Sequence, residues 1–143
     1  MYMEAIPELI GYALQTGEIR YPSGNGKVSF VSRIDIAEAI ANVLTEQTHK
    51  NQTYEITGSI AYTFTELAQL INIEKEIDVH HNDISNVIFR EELLDYQMPM
   101  EVVDLLASMA DGIKSGEFAH IANMLEKLIG RKPLELSKYL KSL

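Results

Sequence analysis

Residues 27–56, KVSFVSRIDIAEAIANVLTEQTHKNQTYEI, predict a strand, a helix and a second strand in succession. Lys27–Val31 mixes apolar and polar residues in the manner of a half-buried strand. We expect Asp35 to cap a helix that runs to about Thr45. The inward face of this helix is expected to comprise Ile36, Ala39, Ile40, Val43 and Leu44. Because Thr53–Ile56 reads as a second strand about 30 residues after the first, a βαβ unit with parallel pairing is expected.

The flanking residues extend this pattern into an α/β fold. Met1–Thr16 predicts a helix whose inward residues are Ile6, Leu9, Ile10, Ala13 and Leu14. Ile19–Tyr21 is expected to be extended, and Glu76–His80 is expected to form a strand near a sheet edge. Thr63 and Glu66 match the capping box of a further helix. The chain begins almost inside its first predicted helix, which suggests the later part of a longer protein.

After residue 82 the spacing of apolar residues predicts helices. Their expected inward residues, helix by helix, are Val87, Ile88, Leu93 and Leu94; Val102, Val103, Leu106, Met109, Ala110 and Ile113; Ile121, Met124, Leu125 and Leu128; and Leu136, Tyr139 and Leu140. Gly116 and Gly130 are placed to end two of these helices. The second half of the chain is therefore predicted to be a mainly helical lobe.

Length and composition predict one domain over residues 1–143, since 46% of the residues are hydrophobic. The net charge of −9, with no basic cluster, argues against nucleic acid and against an anionic membrane as partners. With no cysteine, disulfides and thiolate metal sites are excluded. No apolar run is long enough to span a bilayer, and no secretory signal is recognisable, so a cytoplasmic location is expected.

The sequence predicts no catalytic, coenzyme-binding or metal-binding residue. Gly24–Gly26 leads into a strand, whereas a dinucleotide fingerprint follows a strand and opens a helix, so a plain turn is expected. His80 and His81 should point to opposite faces of a strand and cannot readily share a metal ion, even with Asp83 nearby. Nucleophile-elbow and Walker sequences do not occur, nor does a tyrosine followed four residues later by lysine.

A few side chains remain as weak candidates for binding. Tyr2, Phe89, Met98 and Met100 are candidates to line an apolar substrate pocket, because aromatic and methionine side chains adapt to flat ligands. Core packing is the alternative for each of them. Arg33 and Asp35 are expected to hold the turn between strand and helix, with ligand contact as the alternative.

Five segments together resemble the C-terminal half of NmrA-like proteins, which are atypical relatives of the short-chain dehydrogenases/reductases. The segments are GKV at 26–28, SRIDIAEA at 32–39, YEITG at 54–58, YTFTELA at 62–68 and LIGRKPL at 128–134. Tyr2-Met3-Glu4 resembles the aromatic-x-Glu stretch that follows the central strands in this family. The subgroup that the sequence is most similar to is the NAD(P)H:quinone oxidoreductase and triphenylmethane reductase type.

This resemblance implies the C-terminal, substrate-side part of a Rossmann-like fold, with a small, partly parallel sheet and a mainly helical lobe. It implies NADP or NAD as the coenzyme of the full-length family and a quinone-like small molecule as the acceptor. The dinucleotide-binding N-terminal half is not expected in this chain, so the isolated chain is expected to bind no coenzyme, to be inactive and to self-associate. Two alternatives stay open: a non-catalytic NmrA-like regulator that senses a dinucleotide and binds a protein partner, and a small self-associating helical module.

Overall fold

The computed structural model describes residues 1–11 and 13–143; the side chains of Leu9 and Leu14, which the sequence predicts to face inward, lie outside the described part. The predicted first helix is present in pieces. A 3-10 turn at Met3–Ala5 leads into α1 (Ile6–Gly11), and α2 (Ala13–Thr16) follows. Ile6, Ile10 and Ala13 are buried as predicted. The remaining helices are α3 (Arg33–Thr45), a 3-10 turn (Gln47–His49), α4 (Phe64–Lys75), α5 (Asn86–Asp95), α6 (Met100–Lys114), α7 (Met124–Ile129) and α8 (Leu136–Ser142).

Two small sheets form among the described residues, one parallel and one antiparallel. Strand β1 (Glu18–Arg20) pairs in parallel with β4 (His80–Asn82), so that Ile19 lies opposite His81. Strand β2 (Lys27–Ser29) pairs in the antiparallel sense with β3 (Ala61–Thr63). The α/β class with a small, partly parallel sheet and a helical second half is therefore confirmed. The predicted strand at Glu76–His80 lies later in the chain than expected, as β4.

The predicted βαβ unit is wrong. Thr53–Ile56 forms no strand, and β2 pairs with β3 rather than with this segment. Hydrogen-bonding groups near the end of β2 are already engaged: Ser29 N donates to Phe118 O, and Val31 N donates to Met1 O. The Thr53–Ile56 segment is instead held by single contacts, such as that between the hydroxyl of Tyr54 and His49 Nδ1 at 2.7 Å.

Helix α3 ends at Thr45 as predicted, but it begins at Arg33, earlier than predicted, and has a different cap. Ser32 is the N-cap, and its hydroxyl accepts a hydrogen bond from Ile34 N at 3.2 Å. Asp35 lies in the first turn and is buried. Ala39 is buried as expected, whereas two other predicted inward residues are exposed, Ile40 at 52% and Leu44 at 79%. The helix therefore buries fewer of its apolar side chains than their spacing predicts.

Helix α4 confirms the sequence prediction in detail. Thr63 Oγ1 accepts from Glu66 N at 3.0 Å, and Glu66 Oε2 accepts from Thr63 N at 2.7 Å, which together form the capping box. Phe64, Leu67 and Ile71 are buried in the main core. Two reciprocal bonds satisfy N–H groups that the first turn of a helix cannot satisfy internally.

The later helices agree in position and differ in orientation. In α5 the buried residues are Phe89 and Leu93, whereas the predicted inward residues Val87, Ile88 and Leu94 are exposed. In α6, Val103, Ala110 and Ile113 are buried as expected, but Val102 is exposed. In α7 and α8 the buried residues are Leu125, Ile129, Leu136 and Leu140. The predicted inward residue Ile121 lies before α7 and is exposed.

One large core joins α1, α4, α5, α6 and α8 to the strands, and a smaller cluster lies between α3 and α7. The smaller cluster contains Val31, Ala39, Leu125 and Ile129. No helix of the described residues is long and apolar enough to cross a bilayer.

Candidate functional site: an apolar cavity beside β1 and α5

A cavity of about 590 Å³ lies beside β1 and α5. Small-molecule sites in proteins commonly have volumes of roughly 300–1,000 Å³ and mainly apolar walls. The apolar and aromatic side chains that line this cavity include Tyr2, Tyr21, Phe89, Leu93, Tyr96, Met98, Leu106 and Met109. Its charged lining side chains are those of Glu8, Glu18, Arg20 and Glu92, and Met1, which carries the terminal amino group, lines it as well. The size and the lining are those of a site for a flat, mostly apolar ligand.

The periodicities of two elements bring these side chains together. In α5, Phe89, Glu92, Leu93 and Tyr96 are spaced so that they fall on one side of the helix. In β1, Glu18 and Arg20 line the cavity while Ile19 between them is buried in the core, as alternation along a strand requires. The charged side chains of β1 and the mainly aromatic side of α5 thus line the same cavity.

Arg20 is held between two carboxylates. Its Nε and Nη2 donate to Glu92 Oε1 at 3.0 and 2.5 Å, and its Nη1 donates to Glu18 Oε2 at 3.2 Å. These bonds, first those to Glu92, raise the pKa of Arg20. Hydrogen bonds from Asn82 and then from Arg20 lower the pKa of Glu18. Arg20 and Glu18 therefore stay ionised at neutral pH, and the pairing of Arg20 with Glu92 ties α5 to β1.

Tyr21 forms an aromatic part of the cavity wall. Its ring stacks on Phe64, with centroids 4.5 Å apart and planes 6° apart, and it meets Phe89 edge-on at 5.1 Å. Burial raises the pKa of Tyr21 to about 12, so its phenol remains neutral across the physiological range. The side chain therefore acts here as a rigid aromatic surface.

The structure separates the four residues proposed from the sequence as pocket residues. Tyr2, Phe89 and Met98 line the cavity, and Met100 does not. Met100 begins α6 and is 52% exposed, whereas Met98 lies just before that helix and is 36% exposed. The guanidinium of Arg33 lies over the ring of Tyr2, 4.9 Å from its centroid.

Sequence reasoning missed the charged lining. The signal was present in two places: the i, i+2 pair of charges in the short strand of Glu18 and Arg20, and the helical spacing of Phe89, Glu92 and Tyr96. Neither pattern indicates a cavity unless the strand and the helix are known to be neighbours. That adjacency belongs to the tertiary structure.

Asp35 has a structural role that differs from the predicted one. Its Oδ1 accepts from Arg131 Nη2 at 2.6 Å, and its Oδ2 accepts from Leu134 N at 2.6 Å. Arg131 also contacts Glu38 at 2.5 Å. The buried carboxylate thus anchors the segment between α7 and α8 to α3, and ligand contact is not needed to explain it.

The glycine turn at residues 24–26 does not form a dinucleotide-binding cradle. Gly24 N donates to Asp83 Oδ1 at 2.8 Å, which leaves this N–H engaged within the protein. A Cβ at Gly26 would lie 2.0 Å from Ile113 O, so this glycine is required by close packing against α6. The turn leads into β2, as the sequence predicts, and its glycines face protein instead of open space for a pyrophosphate.

The histidines have separate partners. His81 Nε2 lies 2.9 Å from Tyr21 O, and His80 Nε2 lies 3.5 Å from Glu18 Oε1. Among residues 1–11 and 13–143, no group of three or more metal-ligating side chains is close enough to hold an ion.

Comparison with known proteins gives consistent matches. The chain is 30% identical over 126 residues to quinone oxidoreductase 2 of Escherichia coli, which covers 88% of this chain and 44% of that protein. The crystal structure of the NADPH-dependent quinone oxidoreductase from E. coli superposes with a TM-score of 0.93 at 28% identity, over 99% of this chain and 52% of that one. The Citrobacter triphenylmethane reductase complexed with NADP(H) gives a TM-score of 0.92 at 30% identity, over 99% and 50%.

No family model matches the chain. The chain spans about half the length of the curated relatives and solved structures that it matches. Agreement in fold at this level, with about 30% identity in the matched half, goes beyond shared architecture. The homologues and structural neighbours of the chain are therefore NmrA-like reductases of the quinone oxidoreductase and triphenylmethane reductase type, and the chain resembles their C-terminal half.

Proposed function

We propose that the chain forms the acceptor-binding part of an NAD(P)H-dependent oxidoreductase that acts on a quinone-like small molecule. The observation that carries the proposal is the aromatic-lined cavity of about 590 Å³ in a chain whose fold matches NADPH-dependent quinone oxidoreductase. The volume suits a two-ring or three-ring ligand, and the apolar wall favours a flat one. We assign three of the four sequence-predicted residues to this pocket: Tyr2, Phe89 and Met98. Met100, the fourth, lies outside it.

The coenzyme in this proposal is NADP or NAD, and residues outside this chain bind it. Support comes from the glycines of the 24–26 turn, which pack against the protein and offer no phosphate cradle. The nicotinamide ring would supply the hydride, and the residues described here would bind and orient the acceptor. The isolated chain is then inactive. We also propose a cytoplasmic location, as expected from the sequence.

The two methionines provide a matched test of the pocket. We expect the chain to bind menadione in equilibrium dialysis, and we expect Met98→Ala to weaken binding about three- to tenfold through lost apolar contact. Met100→Ala removes the same side chain two residues away, outside the cavity, and should leave the dissociation constant unchanged. Equal effects of the two substitutions, or no binding by the wild-type chain, would refute the assigned pocket.

Hydride transfer requires a second experiment. With NADPH and menadione, the 143-residue chain should show no quinone-dependent NADPH oxidation. A chimera with the coenzyme-binding half of E. coli quinone oxidoreductase 2 placed before Met1 should show it. NADPH oxidation by the chain alone would contradict the proposal that residues outside this chain bind the coenzyme. A chimera that binds NADPH and menadione without turnover would favour the non-catalytic, dinucleotide-sensing regulator.

A self-associating helical module is the second candidate, because large apolar side chains remain exposed on several helices. Among them are Ile34, Leu44, Ile73, Val87 and Leu105, each at least 60% exposed. Exposed apolar surface of this kind favours association. Self-association is compatible with the reductase proposal as well, so menadione binding, and not oligomeric state, separates the two candidates.

A further inference from the structure

The charges that line the cavity are unbalanced. Glu8, Glu18 and Glu92 bring three carboxylates, and Arg20 brings the one guanidinium among the described lining residues. Among these side chains, three negative charges against one positive charge leave two in excess. The amino group of Met1, which also lines the cavity, offsets one of them when it is protonated, and burial lowers its pKa. Protein charges act more strongly beside an apolar, partly enclosed space than in open water. The whole chain adds to this field, with a net charge of −9.

Arg20 offers little net positive charge to an incoming anion, because three of its five N–H donors are engaged with carboxylates. Glu92 occupies its Nε and one Nη2 donor, and Glu18 occupies one Nη1 donor. The two carboxylates together carry two negative charges, whereas the guanidinium of Arg20 carries one positive charge. An anionic group placed near Arg20 would therefore meet Glu18 and Glu92 at close range, and it would gain little unless one of these pairs broke.

We infer that the cavity discriminates among flat aromatic acceptors by charge, taking uncharged or cationic molecules and rejecting anionic ones. This inference rests on the proposed function, because it assigns an acceptor class to the same cavity. The aromatic wall of Tyr21, Phe89 and Tyr96 supplies affinity for the ring system, irrespective of charge. The carboxylates then set the order of affinity within one ring system.

Cationic ligands have a second source of stabilisation. The faces of aromatic rings attract cations, and four aromatic rings line this cavity. Arg33 already lies over the ring of Tyr2, and one face of Tyr21 is stacked on Phe64, so this contribution is smaller than the number of rings suggests. A sulfonate gains no such attraction from the rings and is repelled by the carboxylates. Both effects act in the same direction.

The test uses three probes with one ring system: an anthraquinone sulfonate, a hydroxymethyl anthraquinone and an anthraquinone bearing a quaternary ammonium group. Binding to the 143-residue chain is measured by equilibrium dialysis at about pH 8, where the amino group of Met1, whose pKa is lowered by burial, is mostly neutral. We expect the sulfonate to bind about tenfold more weakly than the uncharged probe and the cation about two- to fivefold more tightly. These differences should shrink in about 1 M salt, because mobile ions screen exposed charges.

Glu8 allows a variant that leaves the Arg20 pairs intact. Glu8→Gln should reduce the preference for the uncharged probe over the sulfonate about two- to fivefold. Glu91→Gln is the matched control, since Glu91 is exposed on α5 next to Glu92 but does not line the cavity. It should leave the preference unchanged.

The outcomes distinguish this inference from the proposed function. If all three probes bind with equal affinity, or if Glu91→Gln changes the preference as much as Glu8→Gln, charge selection by the cavity is refuted while the quinone pocket stands. If none of the probes and no menadione bind, the pocket assignment and the charge inference fall together.

Discussion

At the scale of single residues, Asp35 shows how a short motif can be recognised while its role is misread. Its place after β2 and at the start of α3 predicts a cap, yet Ser32 caps the helix and Asp35 reaches across to Arg131 and Leu134. The two residues that it holds are about a hundred positions away in sequence. The segment at 128–134 that resembles the family's closing Gly-Arg-x-Pro stretch is thus tied to the segment at 32–39 by one buried carboxylate.

Asp35→Asn should destabilise the fold by about 2 kcal/mol. The substitution removes the charge from two hydrogen bonds of a buried acceptor, and bonds to charged groups contribute about 1.5–3 kcal/mol each before relaxation. The free energy of unfolding is measured by urea denaturation, with an unchanged slope expected.

Glu38→Gln is the control for this prediction. Glu38 contacts the same guanidinium, but its side chain is 39% exposed, so we expect a loss within about 1 kcal/mol. Equal losses for the two variants would show that burial of Asp35 does not distinguish it from Glu38.

At the scale of elements, the capping box of α4 makes stability depend on pH. The N–H of Thr63 is the main cause that lowers the pKa of Glu66, with Lys27 contributing at 3.7 Å. A carboxylate whose pKa is lower in the folded state stabilises that state above its unfolded pKa, near 4.5. The contribution is lost as the pH falls through the folded-state value.

Glu66→Gln should therefore be destabilising at about pH 7 and nearly neutral at about pH 3. The gap between the unfolding midpoints of the two proteins, followed by circular dichroism across this range, is the measurement. Glu74→Gln, near the other end of α4, should show no such closing gap. A constant difference between wild type and Glu66→Gln down to pH 3 would mean that the ionised form of Glu66 has no special role.

Helix orientation is the second lesson at this scale. The spacing of apolar residues located α5 correctly, but Val87 and Leu94 face outward while Phe89 and Glu92 face the cavity. An individual apolar side chain need not be buried, and folded proteins expose many such side chains. Which stripe of an apolar helix is covered depends on the neighbours that the chain supplies.

At the scale of the whole molecule, the 143-residue chain is expected to self-associate. Ile40 and Leu44, four positions apart on α3, both expose more than half of their side chains. Sedimentation velocity should show a mass that rises with concentration above that of the 16.1 kDa chain. Leu44→Gln should shift the equilibrium towards the monomer by removing apolar surface.

Ile73→Gln, at a similarly exposed position on α4, is the comparison for this prediction. An equal shift would indicate non-specific association through many surfaces. A strictly monomeric wild-type chain over the whole concentration range would contradict self-association.

Local information in the sequence was sufficient for the α/β class, for the capping box at Thr63 and Glu66 and for the helical second half, because spacing and caps act over a few residues. It was also sufficient for the resemblance to NmrA-like reductases, since matching segments recur in one order along the chain. The pairing of β2 with β3, the partners of Asp35 and the meeting of β1 with α5 that forms the charged cavity were decided only in the tertiary structure. These features depend on which distant segment pairs with a given strand edge or packs against a given apolar face. Several segments of this chain satisfy the same local pattern, so that pattern does not identify the partner.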